Sequence, residues 1–278
     1  MKNSLLLLCL LIAGSAFAQK FQGKATYKTH RKMSMSFEGS SGMSDAMNKR
    51  MQEQMKRQFQ KTFILEFNKS ESVYKEDKKL SAPSGMSNSG NMVMVFGGGG
   101  GSDIYYKNIK TKNYINKTEI MGKRFLIKDK LPTFDWKLTG ETKSIGVYTC
   151  YKATFSREED QTTMNIDEKG KVKESIVKRT IVTTAWYTPE IAVSNGPGRF
   201  TGLPGLILEV KDGNLTIVCS EIVMNTTEKM EIKEPTKGKV VTQEAYQKIM
   251  DKKTKEMMDR FKSRKGRKGN NMEIRIGG

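Results

Sequence analysis

The sequence predicts a mainly β protein: one large, curved antiparallel sheet, half-barrel-like, with an early helix and a C-terminal helix. Three observations lead there. Short β-prone runs recur about every ten residues between Ile104 and Lys128, the spacing of a meander. Two further runs flank Asp212-Gly213, a two-residue hairpin turn. Apolar residues repeat at helical spacing in one early row, and a capping residue with helix formers behind it opens a second helix late in the chain. A two-sheet sandwich with the helices at its margins is the alternative architecture.

The elements follow in chain order. Lys2, the apolar run Leu5 to Ile12 and the small-residue site Ala16-Phe17-Ala18 predict a signal peptide over residues 1–18. The run is too short to span a membrane, and Leu8 before Cys9 does not suit a lipid anchor. Export to the periplasm or the outer membrane is the expected localisation. Residues 19–250 then read as a single β-rich domain. Phe21–Thr29 alternates Phe21, Gly23, Ala25 and Tyr27 as a strand. Ser44–Gln60 predicts the early helix, with Met43, Met47, Met51, Met55 and Phe59 in one row. Thr62–Asn68 and Ser72–Glu76 are strands, and residues 82–102, with five glycines at 97–101, form a loop. Ile104–Asn108, Asn113–Glu119 and Lys123–Lys128 are the meander. Val147–Phe155, Val172–Thr184, Leu206–Val210 and Leu215–Val223 continue the sheet. The expected pairing sets Val210 against Leu215, Leu208 against Ile217 and Leu206 against Cys219, giving the hairpin one apolar face. Thr242 caps the second helix, running to about Phe261, and Glu273–Ile276 is a short closing strand. Residues 251–278 are its basic end and tail.

The densest pattern in the chain is Ala185-Trp186-Tyr187-Thr188-Pro189-Glu190-Ile191, then Gly196-Pro197, Phe200 and Gly202-Leu203-Pro204-Gly205-Leu206-Ile207. Residues 194–205, called the signature segment below, hold four glycines and two prolines, so a long structured turn is expected where one strand passes over another. A second reading makes Trp186, Tyr187, Phe200, Gly202, Leu203, Pro204 and Gly205 a binding loop. Trp136, Trp186, Leu206 and Leu208 are expected in the core.

These residues, with Thr133 to Leu138 and Gly146-Val147-Tyr148-Thr149-Cys150-Tyr151-Lys152-Ala153, resemble the GLPGLI family of secreted Gram-negative bacterial proteins. The resemblance covers about residues 131–211. It implies an exported protein without an established activity, working alongside outer-membrane TonB-dependent transporters. The predicted architecture is also similar to the half-barrels of periplasmic lipoprotein and lipid carriers, which makes an apolar ligand a second candidate partner.

Composition narrows the chemistry. The net charge is +19, and loss of Lys2 with the signal peptide leaves +18. Residues 251–268 carry nine Lys or Arg against three Asp or Glu, so the tail suits an anionic membrane surface or simple solvation. No nucleic-acid module is present in the sequence. His30 is the single histidine, beside Arg31 and Lys32, and reads as a surface residue rather than a catalytic base. Glu158, Glu159 and Asp160 read as a loop cluster. No cofactor is expected. Met33, Met35, Met47 and Met51 could offer thioethers to Cu(I), against the reading that the methionine row simply packs on the sheet. Cys150 and Cys219 are either a disulfide, closing a loop of about 70 residues worth roughly 4 kcal/mol, or two buried thiols. A non-enzymatic binding or accessory protein is the expected function, with a hydrolase and a copper-handling protein as alternatives.

Overall fold

The computed structural model describes residues 21–31, 60–77, 104–120, 122–166, 172–226, 230–264 and 273–276. The strands are β1 (Gln22–Arg31), β2 (Gln60–Asn68), β3 (Glu71–Glu76), β4 (Ile104–Asn108), β5 (Asn113–Ile120), β6 (Lys123–Lys130), β7 (Lys137–Ile145), β8 (Tyr148–Ile166), β9 (Val172–Thr188), β10 (Leu206–Asp212), β11 (Leu215–Met224), β12 (Lys239–Val241) and β13 (Glu273–Ile276). The helix α1 spans Gln243–Arg264. All the strands join one open sheet in the order β12-β6-β5-β4-β3-β2-β1-β11-β10-β9-β8-β13, and β7 also pairs with β8. The pairing is antiparallel except between β12 and β6, so the sheet is mixed rather than purely antiparallel.

Side-chain alternation sorts the sheet into two faces. Tyr105, Tyr74, Leu65 and Ala25 stand opposite one another across β4, β3, β2 and β1. The same face continues through Ile217, Val210, Ala185 and Ala153 of β11, β10, β9 and β8. These residues form the main core, and Ile191, Val193, Phe200 and Leu203 from the connection between β9 and β10 complete it. Trp136 and Phe134, leading into β7, join from the side, the Trp136 ring meeting Phe155 edge-on at 4.8 Å. On the opposite face, Ile232 packs on Val73, Tyr106, Ile115 and Leu126, the one covered region of that face among the described residues.

The meander and the late helix stand where the sequence puts them. Thr242 accepts from the amide of Ala245 through its hydroxyl (3.2 Å), as a capping residue does. Tyr246 of α1 meets Phe125 edge-on at 5.8 Å, so the helix lies against the β6 end of the core face. The early helix Ser44–Gln60 lies outside the described residues except for Gln60, which begins β2. Residues 1–18, the 82–102 loop and, of the basic tail, residues 265–272 and 277–278 also fall outside them.

Three expectations need correction. The β10–β11 register is two residues off: Val210 faces Ile217 and Asp212 faces Leu215, so the turn is Gly213-Asn214. Asp212 stays in the strand because its carboxylate is engaged there. A shift of two keeps every side chain on its expected face, so the apolar face survives. Glu158, Glu159 and Asp160 are mid-strand in β8, opposite Thr180, Arg179 and Lys178. Trp186 takes an outward register position, partly buried and packed against the margin of the main core, with the Lys143 ammonium 4.4 Å above its ring. Trp136 is partly buried as well, whereas Leu206 and Leu208 are fully in the core.

Candidate functional site

The signature segment is a plug on the core face. Phe200 and Leu203 are buried, while Gly202 and Pro204 face solvent. The backbone reason differs between its glycines. Gly202 has φ +96°, a left-handed geometry that glycine tolerates without cost. Gly205 has ordinary dihedrals but no space: a Cβ there would lie 2.1 Å from the Thr188 carbonyl oxygen. Close approach of two strands, not permissive angles, fixes glycine at 205. A Cβ at Gly196 would meet that of Ile207 at 2.8 Å.

Hydrogen bonds pin the segment from several sides. Trp136 Nε1 donates to Thr201 O (2.9 Å), and Tyr27 OH, wholly buried, donates to Ile207 O (2.7 Å). Thr201 Oγ1 donates to Ser194 O (2.6 Å), closing the turn on itself. The amide of Ile207 returns to Asn195 O (2.9 Å).

Two charged residues are buried against this plug. Asp212 accepts from Arg157 (2.5 Å), Thr183 (2.6 Å) and Arg199 of the segment (3.0 Å). Burial alone would raise its carboxyl, but the bonds from Arg157 and Thr183 and the charges of Arg157 and Arg199 outweigh it and hold it below the usual range. The second is Lys107 of β4, 0% exposed. Its Nζ donates to Gly196 O (2.6 Å) and Phe200 O (3.2 Å). Burial pushes this amine down to about 7. Ser72, directly opposite Lys107 on β3, donates to Asn195 Oδ1 (3.3 Å). Asn195 Nδ2 and Tyr74 OH are buried without a partner among the described residues.

Of the candidate binding residues, Tyr187, Phe200, Leu203 and Gly205 are buried together and Gly202 and Pro204 form the exposed rim, with Trp186 at its outward register position. Met33, Met35, Met47 and Met51 lie outside the described residues. Cys150 and Cys219 are separate thiols in the main core, pushed up by burial to about 11 and about 12, which keeps them protonated and unreactive. His30 is half-buried rather than fully solvated, with Nδ1 cut off from water. Sequence reasoning missed Lys107 and the Asp212 network. The one available signal was the alternation Tyr105, Lys107, which puts the lysine on the face of a core tyrosine.

A family described as "Protein of unknown function (Porph_ging)" matches residues 136–209, which run from Trp136 through the signature segment. No curated protein matches the chain. Two solved structures, "Structure of PNGF-II in C2 space group" and "Structure of PNGF-II in P21 space group", are similar at 14% identity with TM-scores of 0.48 and 0.46. Each alignment covers 84% of this chain and 33% of the other, so the chain spans about a third of the length of the structures it matches.

Proposed function

We propose that this chain is a GLPGLI-type exported envelope protein that acts by binding a protein partner, and that the β8–β9 hairpin makes the contact. The observation that carries this is the shape of that hairpin. β10 pairs with β9 only up to Thr183, and β7 pairs with β8 only up to Thr154. Beyond those points the two strands run on together as an arm, joined by β13 near the tip. Residues 176–180 are all exposed, so the arm shows both faces to solvent, and Ile176 and Val177 are 65% and 51% exposed. Apolar residues displayed on a projecting hairpin suit a protein contact. An outer-membrane transporter is the candidate partner, and the basic end of the chain would add attraction to an anionic membrane surface.

The reading of an apolar ligand held by the sheet has less support, because Ile191, Val193, Phe200 and Leu203 already occupy the core face. Photo-crosslinking in producing cells tests the proposal. A photoreactive residue replacing Ile176 or Val177 should give one discrete adduct with an envelope protein, and one replacing Val147, exposed on the β7–β8 turn, should give none. Equal labelling at all three positions, or none at any, overturns it.

A further inference from the structure

We propose that Lys107 makes the seating of the signature segment proton-dependent: the segment closes on the uncharged amine, and uptake of a proton favours a lifted state in which Lys107, Ser72 and Asn195 meet water. This goes beyond the partner-binding reading and does not depend on it. The geometry carries it. Lys107 is completely enclosed, and its bonded partners are two carbonyls of the segment, Gly196 O and Phe200 O. A neutral amine has two protons, one for each carbonyl. The third proton of an ammonium has no acceptor among the described residues, and burying an uncompensated charge is costly.

Among the described residues, the surroundings offer the charge no relief. Ser72 and Tyr74 face Lys107 from β3, Tyr105 from β4 and Tyr114 from β5. Burial raises both Tyr105 and Tyr114, the latter to about 12, so neither becomes an anion near neutrality. From the segment come Asn195, whose spare atom is a donor, and Arg199, a further positive charge that acts on Tyr105. Asp129 stands in the same row two strands away on β6 and accepts from the amide of Gln243 (3.1 Å). Desolvation is the one cause shifting Lys107.

The sign follows from linkage. The closed state binds the proton near pH 7. The lifted state, with Lys107 in water, binds it near pH 10.5, the ordinary lysine value. Opening is therefore favoured as pH falls from 10.5 to 7 and levels off below 7, where both states are protonated. The opening constant should rise on the order of 50-fold from pH 9 to pH 7 and only about twofold from pH 7 to pH 5.

Amide hydrogen exchange of the wild-type protein, corrected for intrinsic rates, reads this directly at Asn195, Phe200, Gly202 and Ile207. Their protection should follow that curve, and in Lys107→Met it should be flat over the same range. Flat wild-type protection, or an unchanged slope in the variant, overturns the proposal. Should the variant not fold, the wild type still decides: the 13Cε resonance of Lys107 should titrate near 7, and a midpoint near 10.5 overturns it.

Discussion

Asp212 in β10 and Lys107 in β4 are both buried against the signature segment, and both hold it, yet their environments are opposites. Asp212 receives two arginines and a threonine, so it keeps its charge and its carboxyl titrates low. Lys107 receives two carbonyls and, among the described residues, no acid, so it sheds its charge near neutrality. Burial disfavours the ion in each case, and the partners decide which form survives. One clamp is therefore electrostatic and indifferent to pH across the neutral range. The other is a pair of hydrogen bonds whose strength depends on a proton.

The sharpest way to break this contrast is to remove the acid. In Asp212→Ala, Arg157 and Arg199 lose a shared carboxylate, and Thr183 loses its acceptor. Deleting one partner of a buried ion pair typically costs about 3–5 kcal/mol; Arg157 keeps Glu159 (2.5 Å) and Arg199 reaches water, so the lower end, about 3 kcal/mol, is expected. Chemical denaturation at neutral pH should show a loss of that order. The acid limb sharpens the test: with its carboxyl lowered in the fold, Asp212 contributes stability above about pH 4 that is lost as pH falls through its folded value. That contribution should disappear in the variant, and a loss below about 1 kcal/mol would mean the network holds nothing in place.

A smaller effect is expected where both clamps depend on the same backbone path. Gly205 lets the segment pass Thr188 before β10 begins, and Gly205→Val would push a side chain into the Thr188 carbonyl. Overpacking of this kind costs roughly 1–3 kcal/mol. Gly202→Ala serves as its control. It meets the Trp136 ring only at 3.6 Å and suffers from φ instead, at roughly 1 kcal/mol. Thermal midpoints should rank the valine variant below the alanine variant; the reverse order would make backbone angle, rather than close approach, the reason for the motif.

The same contrast explains what could be read in the sequence. The strands of the meander, the cap at Thr242 and the corner at 194–205 were legible because periodicity, capping and glycine-proline content are local signals. Asp212 was not, since Asp-Gly is also a favoured hairpin turn, and its partners in the strand, Arg157, Thr183 and Arg199, lie 13 to 55 residues away. Glu158 to Asp160 read as a loop because their cross-strand neighbours Arg179 and Lys178 lie about 20 residues away. Lys107 showed the right alternation, but a lysine on a short strand ordinarily reaches water, and only the folded segment closes over it.

Arg199 gives the smallest expected effect and separates the two clamps most cleanly. Its side chain is 46% exposed, so its bond to Asp212 competes with water and is screened by salt. Arg157 and Thr183 remain on the carboxylate when Arg199 is lost, so Asp212 is not stranded. Arg199→Ala should therefore cost less than about 1 kcal/mol, most of it at low ionic strength. Lys107 makes no bond to the Arg199 side chain, so protection of the Asn195 and Ile207 amides should keep its wild-type dependence on pH. Urea denaturation at low and high salt measures the first part, and exchange across pH 7 to 9 measures the second. A pH dependence that vanished with Arg199 would show that the positive charge beside Tyr105, rather than burial, sets how Lys107 titrates.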